Sequence, residues 1–181
     1  MPCMDNPCVF FSVLQYFKER IILAVHGAKQ HMTYQWEPCL ATGHTEIDNQ
    51  HKQLITAVNN LLAACHTGTE KSELERTIDF LLGYTIKHFI DEEKLQKQYN
   101  YPDYGRHRIL HEEFKSVAAN LAECLRKEGP TSDLVVDVYS SLGNWLVNHI
   151  KGDDFRMAAF IKTQVSTNSP VPEEFSPEEP V

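Results

Sequence analysis

Four stretches of the chain carry apolar residues three and four apart, the spacing that lines one face of an α-helix. The first runs from about Thr45 to Cys65, with Ile47, His51, Leu54, Val58, Leu61 and Cys65 on its stripe, and Gly68 is expected to close it. Ser72-Glu73-Leu74-Glu75 has the form of a capping box and opens the second, which reaches about Tyr99. Its stripe is Leu74, Ile78, Leu81, Thr85, His88, Glu92 and Leu95. After a turn at Tyr101-Pro102-Asp103-Tyr104-Gly105, the third runs from about Gly105 to Lys127 with His107, His111, Phe114, Ala118, Leu121 and Leu125 on one face. Gly129-Pro130 stops it, and Thr131 or Ser132 caps a fourth that reaches about Lys151. The fourth stripe is Val135, Val138, Leu142, Trp145, Leu146 and His149. No stretch alternates as a strand would. Helices of this length, each about 30 Å long, joined by short turns, predict an all-α antiparallel up-down-up-down four-helix bundle.

The bundle is expected to occupy residues 32–165. Ahead of it, residues 1–31 place Phe10, Leu14, Phe17, Ile21 and Val25 at helical spacing. That segment predicts either a short amphipathic helix or an upstream extension outside the domain, with Met32 as an alternative start. Lys18-Glu19-Arg20 interrupts it, so it does not span a membrane, and no positive charge precedes its apolar part, as a secretory signal requires. Residues 32–44 read as an irregular arm carrying Trp36 and Pro38. Residues 166–181, with four prolines and four glutamates, read as a disordered acidic tail.

Charge narrows the class of partner. The net charge of -8 over 181 residues argues against nucleic acid. Five scattered cysteines without a CxxC suit reduced thiols, and therefore the cytoplasm, better than a disulfide frame. A monomer is expected.

The unusual feature is where the polar residues fall. His88 and Glu92 stand where leucines stood a turn earlier. Taken alone, a histidine and a glutamate four apart are most often a solvated pair. Here the same intrusion recurs on every helix: His51 on the first, His88 with Glu92 on the second, His107 with His111 on the third, and His149 on the fourth, with Asp154 five residues on. Five residues turn a helix by about 500°, off the stripe, so Asp154 joins His149 only if the helix loosens, which Gly152 would permit. Burying such groups unpartnered costs several kcal/mol each; a metal would compensate. His26, His31, His44 and His66 lie outside the pattern and are read as solvated. The seven groups exceed what one zinc takes, and mixed imidazole and carboxylate suits iron, with manganese second. Two six-coordinate irons, given five imidazoles, two bridging carboxylates and one bridging oxygen, leave one position open to a small ligand.

The stretches Ile47-Asp48-Asn49-Gln50-His51-Lys52, His88-Phe89-Ile90-Asp91-Glu92-Glu93, His107-Arg108-Ile109-Leu110-His111 and Trp145-Leu146-Val147-Asn148-His149 with Asp154 together resemble the hemerythrins, most of all the single-domain bacterial ones. The resemblance implies a non-heme di-iron centre, oxo- or hydroxo-bridged, in which His107, His111 and His149 hold one iron, His51 and His88 hold the other, and Glu92 and Asp154 bridge. It implies reversible binding of dioxygen, a carrier and not an enzyme, with Phe89, Trp145, Leu146 and Ile150 forming the oxygen pocket. Alternatives are an oxygen or redox sensor, an iron-handling protein, or, less in keeping with the ligands, a di-iron oxidase. Oxidase and ferritin-like sites are carboxylate-rich and use Glu-x-x-His, which the chain lacks. A zinc protease would need a glutamate after His107, where Arg108 stands.

Overall fold

The computed structural model describes residues 33–67 and 69–167. Four long helices form the expected antiparallel bundle: α1 (Thr45–Thr67), α2 (Lys71–Gln98), α3 (Tyr104–Glu128) and α4 (residues 132–167). Three of them begin or end within two residues of where the apolar periodicity and the turn residues put them. Gly129, at φ 75°, ends α3 in a backbone conformation that favours glycine. The Thr131 side chain accepts a hydrogen bond from the Leu134 N–H at 3.3 Å and so caps α4.

Three expectations change. The capping box at Ser72 does not form: α2 starts a residue earlier, at Lys71, with Glu70 as a cap whose side chain makes no bond. The Glu70 carbonyl instead takes the N–H groups of Glu73 and Leu74 at 2.9 and 3.1 Å. Secondly, α4 does not stop at Lys151 but continues to Thr167, two residues into the segment expected as tail. Thirdly, His44 is not simply solvated; its Nδ1 accepts from the Ile47 N–H at 3.4 Å and serves as the cap of α1. Gly68, residues 1–32 and residues 168–181, with the expectations attached to them, lie outside the described residues.

The fourth helix is not a plain α-helix. Ser132–Asp137, Trp145–His149 and Phe155–Thr167 are α-helical, while Val138–Asn144 and Ile150–Asp154 are π-helical. The buried positions explain why. Val138, Leu142, Leu146, Ile150 and Asp154 are all buried and recur every four residues. In an α-helix a step of four overshoots a full turn by about 40°, so four such steps would carry the stripe away from the bundle. A π turn closes its hydrogen bond at i+5 and takes up the surplus.

The arm packs back on this helix. Tyr34 exchanges backbone hydrogen bonds with the Asn59 side chain, at 2.8 and 2.7 Å. Its hydroxyl donates to the Tyr139 carbonyl at 2.7 Å, within the first π segment, and lies 2.9 Å from Asn144 Oδ1. Gly143 faces the Tyr34 ring so closely that a Cβ there would overlap it. Trp36 packs on the core with the Lys52 ammonium 5.1 Å from its ring centre.

The core has three parts. A large apolar cluster, including Leu54, Leu61, Ile78, Phe89, Phe114, Leu125 and Leu142, fills most of the bundle. A small one, Tyr101, Met157 and Ile161, closes the other end. Between them lies a polar layer: His51, His88, Glu92, His107, His111 and Asp154 at 0–1 % exposed and His149 at 4 %.

Candidate metal centre

The first three helices deliver their polar residues to this layer by ordinary α-helical spacing. On α2, His88 and Glu92 are one turn apart, as are His107 and His111 on α3. On α4, the π segment Ile150–Asp154 brings Asp154 round to the face of His149, whose Nε2 is 3.0 Å from Asp154 Oδ1. The loosening expected near Gly152 is therefore a π turn.

The seven residues resolve into two overlapping groups. Glu92, His107, His111, His149 and Asp154 form one; His51, His88, Glu92 and Asp154 form the other; within each, the candidate ligand atoms lie within 4.8 Å of one another. The Nε2 atoms of His107 and His111 are each 3.1 Å from His149 Nε2. One proton can bridge only one such pair, so three converging ring nitrogens are better satisfied by a cation. Glu92 Oε2 lies 3.4 Å from His107 and 3.2 Å from His111, and Asp154 Oδ2 lies 3.1 Å from His51.

Unpartnered atoms test whether a metal fits. His51 Nε2, His88 Nε2, both Glu92 oxygens and both Asp154 oxygens are buried, and although several of them lie within 3.4 Å of another ligand atom, none makes a directed hydrogen bond. Natively folded chains rarely leave such atoms unsatisfied. These are lone-pair donors of the type that binds iron, and the two carboxylates are common to both groups. The residues present fit a pair of metal ions.

The protonation pattern of the metal-free layer follows from the same crowding. Burial and the Asp154 charge would raise Glu92, but the imidazoles of His107 and His111 prevail and hold it down at about 2. Burial works against the His149 cation, yet Asp154 and Asp153 overcome it and push the ring up to about 10. His107 is likewise raised, burial being outweighed by Asp154 and Glu92. For His88 burial prevails over the pull of Glu92, and its ring falls to about 4.

A second set of groups holds the ligands from behind. His88 Nδ1 is 2.9 Å from Gln50 Oε1, and Gln50 donates through Nε2 to Asp91 at 3.0 Å. His111 Nδ1 is 3.1 Å from Glu93 Oε1. His149 Nδ1 is 3.6 Å from Asp153 Oδ2, a carboxylate that also pairs with Arg106 and Arg156. Such partners fix the tautomer and raise the basicity of a metal-bound imidazole. None of Gln50, Glu93 or Asp153 was singled out from the sequence. Each is adjacent to a ligand or one turn from it, which was the available signal.

The family model described as the hemerythrin HHE cation binding domain matches residues 42–161. The chain belongs to the hemerythrin family. It is 31 % identical over 131 residues to bacteriohemerythrin of Stenotrophomonas maltophilia, covering 72 % of this chain and 83 % of that one. It is 27 % identical over 123 residues to myohemerythrin of Theromyzon tessulatum, covering 68 % and 89 %. The crystal structure of a wild-type hemerythrin superposes with a TM-score of 0.62 at 27 % identity, over 71 % of this chain and 97 % of that one. Membership supports a metal-binding, non-heme di-iron protein. No helix among the described residues is long and apolar enough to cross a membrane.

Of the four residues read as this hemerythrin's oxygen pocket, the two aromatic ones stack directly on the cluster. Phe89 stacks on His111 with ring centres 3.8 Å apart and planes 4° apart. Trp145 stacks on His149 at 4.3 Å and on Phe114 at 4.2 Å. Leu146 and Ile150 are buried. An apolar hollow lined by Leu61, Ile78, Leu81, Leu125 and Leu142 lies away from these four, toward the far end of the bundle.

Proposed function

We propose that the chain binds dioxygen reversibly at a non-heme di-iron centre held by His51, His88, Glu92, His107, His111, His149 and Asp154, as a carrier, store or delivery protein and not an enzyme. The single observation that carries this reading is the sharing of Glu92 and Asp154 between a three-histidine group and a two-histidine group. That arrangement suits two ions, one fully ligated and one with room for a small molecule. When bound, two irons supply the electrons that reversible dioxygen binding requires.

The chain's own residues do the rest. His107, His111 and His149 would hold one ion, and His51 and His88 the other. Glu92 and Asp154, ionised in this layer, would neutralise both and fix their separation. Glu93, Asp153 and Gln50 keep the ring protons on Nδ1 and so present each Nε2 as a lone pair. Phe89 and Trp145 lock the rings of His111 and His149 by stacking. Leu146 and Ile150 exclude water from the side where the smaller ligand set leaves space, which keeps protons from the bound molecule.

The test is anaerobic loading with ferrous iron, metal analysis, then air and evacuation while absorption is followed. Two irons per chain and an oxygen-dependent band that vanishes under vacuum are expected. One metal per chain, preference for zinc, or oxidation that vacuum does not reverse would overturn the reading.

A further inference from the structure

Metal binding does not account for every orphaned polar atom in the layer. Of the ten buried side-chain atoms without a partner among the described residues, six are the ligand atoms named above; the remaining four are His51 Nδ1, His107 Nδ1, Gln96 Nε2 and Gln96 Oε1. Gln96 is fully buried, at 0 % exposed, with neither end of its amide satisfied. Burying an uncharged amide in that condition is unfavourable, and an apolar side chain would avoid it.

The position of Gln96 indicates what it faces. It lies one turn beyond Glu92 on the same side of α2, in the direction of the α3 N-terminus. Glu92 itself reaches His107 Nε2 at 3.4 Å. The carbonyl of Gln96 accepts the Tyr101 N–H at 2.9 Å, and the Tyr101 ring stands edge-on to His107 with centres 6.4 Å apart. Gln96 and His107 thus share the end of the cluster that Tyr101 and Met157 close. The other orphaned imidazole, His51, lies against His88, whose ring centre is 4.8 Å away, and His88 precedes Gln96 by two turns.

We propose that Gln96 and His107 Nδ1 together hold one buried water molecule, which makes Gln96 a positioning residue for His107. The amide offers one acceptor and one donor, and His107, once its Nε2 is given to a metal, offers an N–H. Those three partners are about what a buried water makes. The inference rests on the metal-centre reading above, and it places behind His107 the support that Glu93 and Asp153 give His111 and His149.

The test uses the full chain with Gln96→Met, which keeps the length and removes the polar atoms. Loss of an outer partner of a metal-bound histidine weakens metal affinity by about 10–100-fold. The variant should give up metal to a competing chelator at least about tenfold more readily than the parent, while its metal-free melting temperature stays level or rises. In the zinc-loaded parent, which is diamagnetic, the His107 Nδ1–H should appear as a slowly exchanging proton, and it should exchange faster in the variant. Equal chelator resistance in variant and parent overturns the proposal. So does a His107 Nδ1–H in the parent that exchanges as fast as an exposed imidazole, a measurement that does not need the variant to fold. A parent that binds two metals while either result fails overturns only the role of Gln96; a parent that binds none overturns the metal centre itself.

Discussion

Leu146 precedes His149 by three residues and is 3 % exposed, between the large apolar cluster and the polar layer. Leu146→Ala should cost about 2–5 kcal/mol of stability, as buried leucines do when truncated. If Leu146 and Ile150 exclude water from the centre as proposed, the substitution should also admit water there. In the iron-loaded protein the oxygen-dependent absorption band should then decay faster in air, with iron content unchanged, because no ligand is lost; an unchanged decay rate in an iron-replete variant would reduce Leu146 to packing. Single residues of this kind were legible in the sequence where a polar side chain interrupts an apolar stripe, as His88 and Glu92 do. Gln50, Glu93 and Asp153 were not, since a polar residue beside a stripe looks the same whether it faces solvent or the back of a ligand. Gln96 was missed for another reason. Positions three and four beyond Glu92 both fall on its face, and Leu95, the apolar one, reads as the continuation.

Among the elements, α4 shows where periodicity reaches its limit. Helix type and the start of α4 followed from spacing and from Thr131, but its true length did not, because Asp154 falls off an α-helical stripe and so marks an apparent end. The four-residue recurrence of Val138, Leu142, Leu146 and Ile150 was the readable sign of π turns. The first π segment is also where the arm docks, through Tyr34, against a helix surface that only glycine at 143 leaves open. Tyr34→Phe removes the hydroxyl bond to the Tyr139 carbonyl and should cost about 0.5–1.5 kcal/mol. Gly143→Ala should displace the ring and cost more. In a Tyr34→Ala background the added methyl meets no ring, so the cost of Gly143→Ala should largely disappear. Equal costs in both backgrounds, measured by denaturant unfolding, would mean that the arm does not sit on this segment in solution.

Over the whole molecule, the bundle and the layer depend on each other through protons as well as metal. In the metal-free chain, His149 is pushed up from 6.5 to about 10, so its contribution to stability is complete below about pH 6.5 and is lost as pH rises through about 10. His88 is pulled down from 6.5 to about 4, so charging it withdraws stability as pH falls from about 6.5 toward 4. Glu92, held down from 4.5 to about 2, adds a further loss as pH falls from about 4.5 through about 2. The melting temperature of metal-free protein should therefore peak near pH 6–7 and decline on both sides. Metal takes the place of these protons, because a bound imidazole must be neutral. Loading at pH 8 should then release protons, chiefly from His149, and affinity should rise with pH up to about 10. The alkaline decline should disappear from the loaded protein, whose rings are neutral ligands at every pH at which metal stays bound, while acid should still empty and unfold it. Melting scans of both forms from pH 4 to 10, with calorimetry of loading in buffers of different ionisation heat, check each part. A metal-free melting temperature that stays flat between pH 7 and 10, or loading without proton release at pH 8, would mean that His149 is neutral in the empty bundle and that the carboxylates do not hold the layer together before the metal arrives.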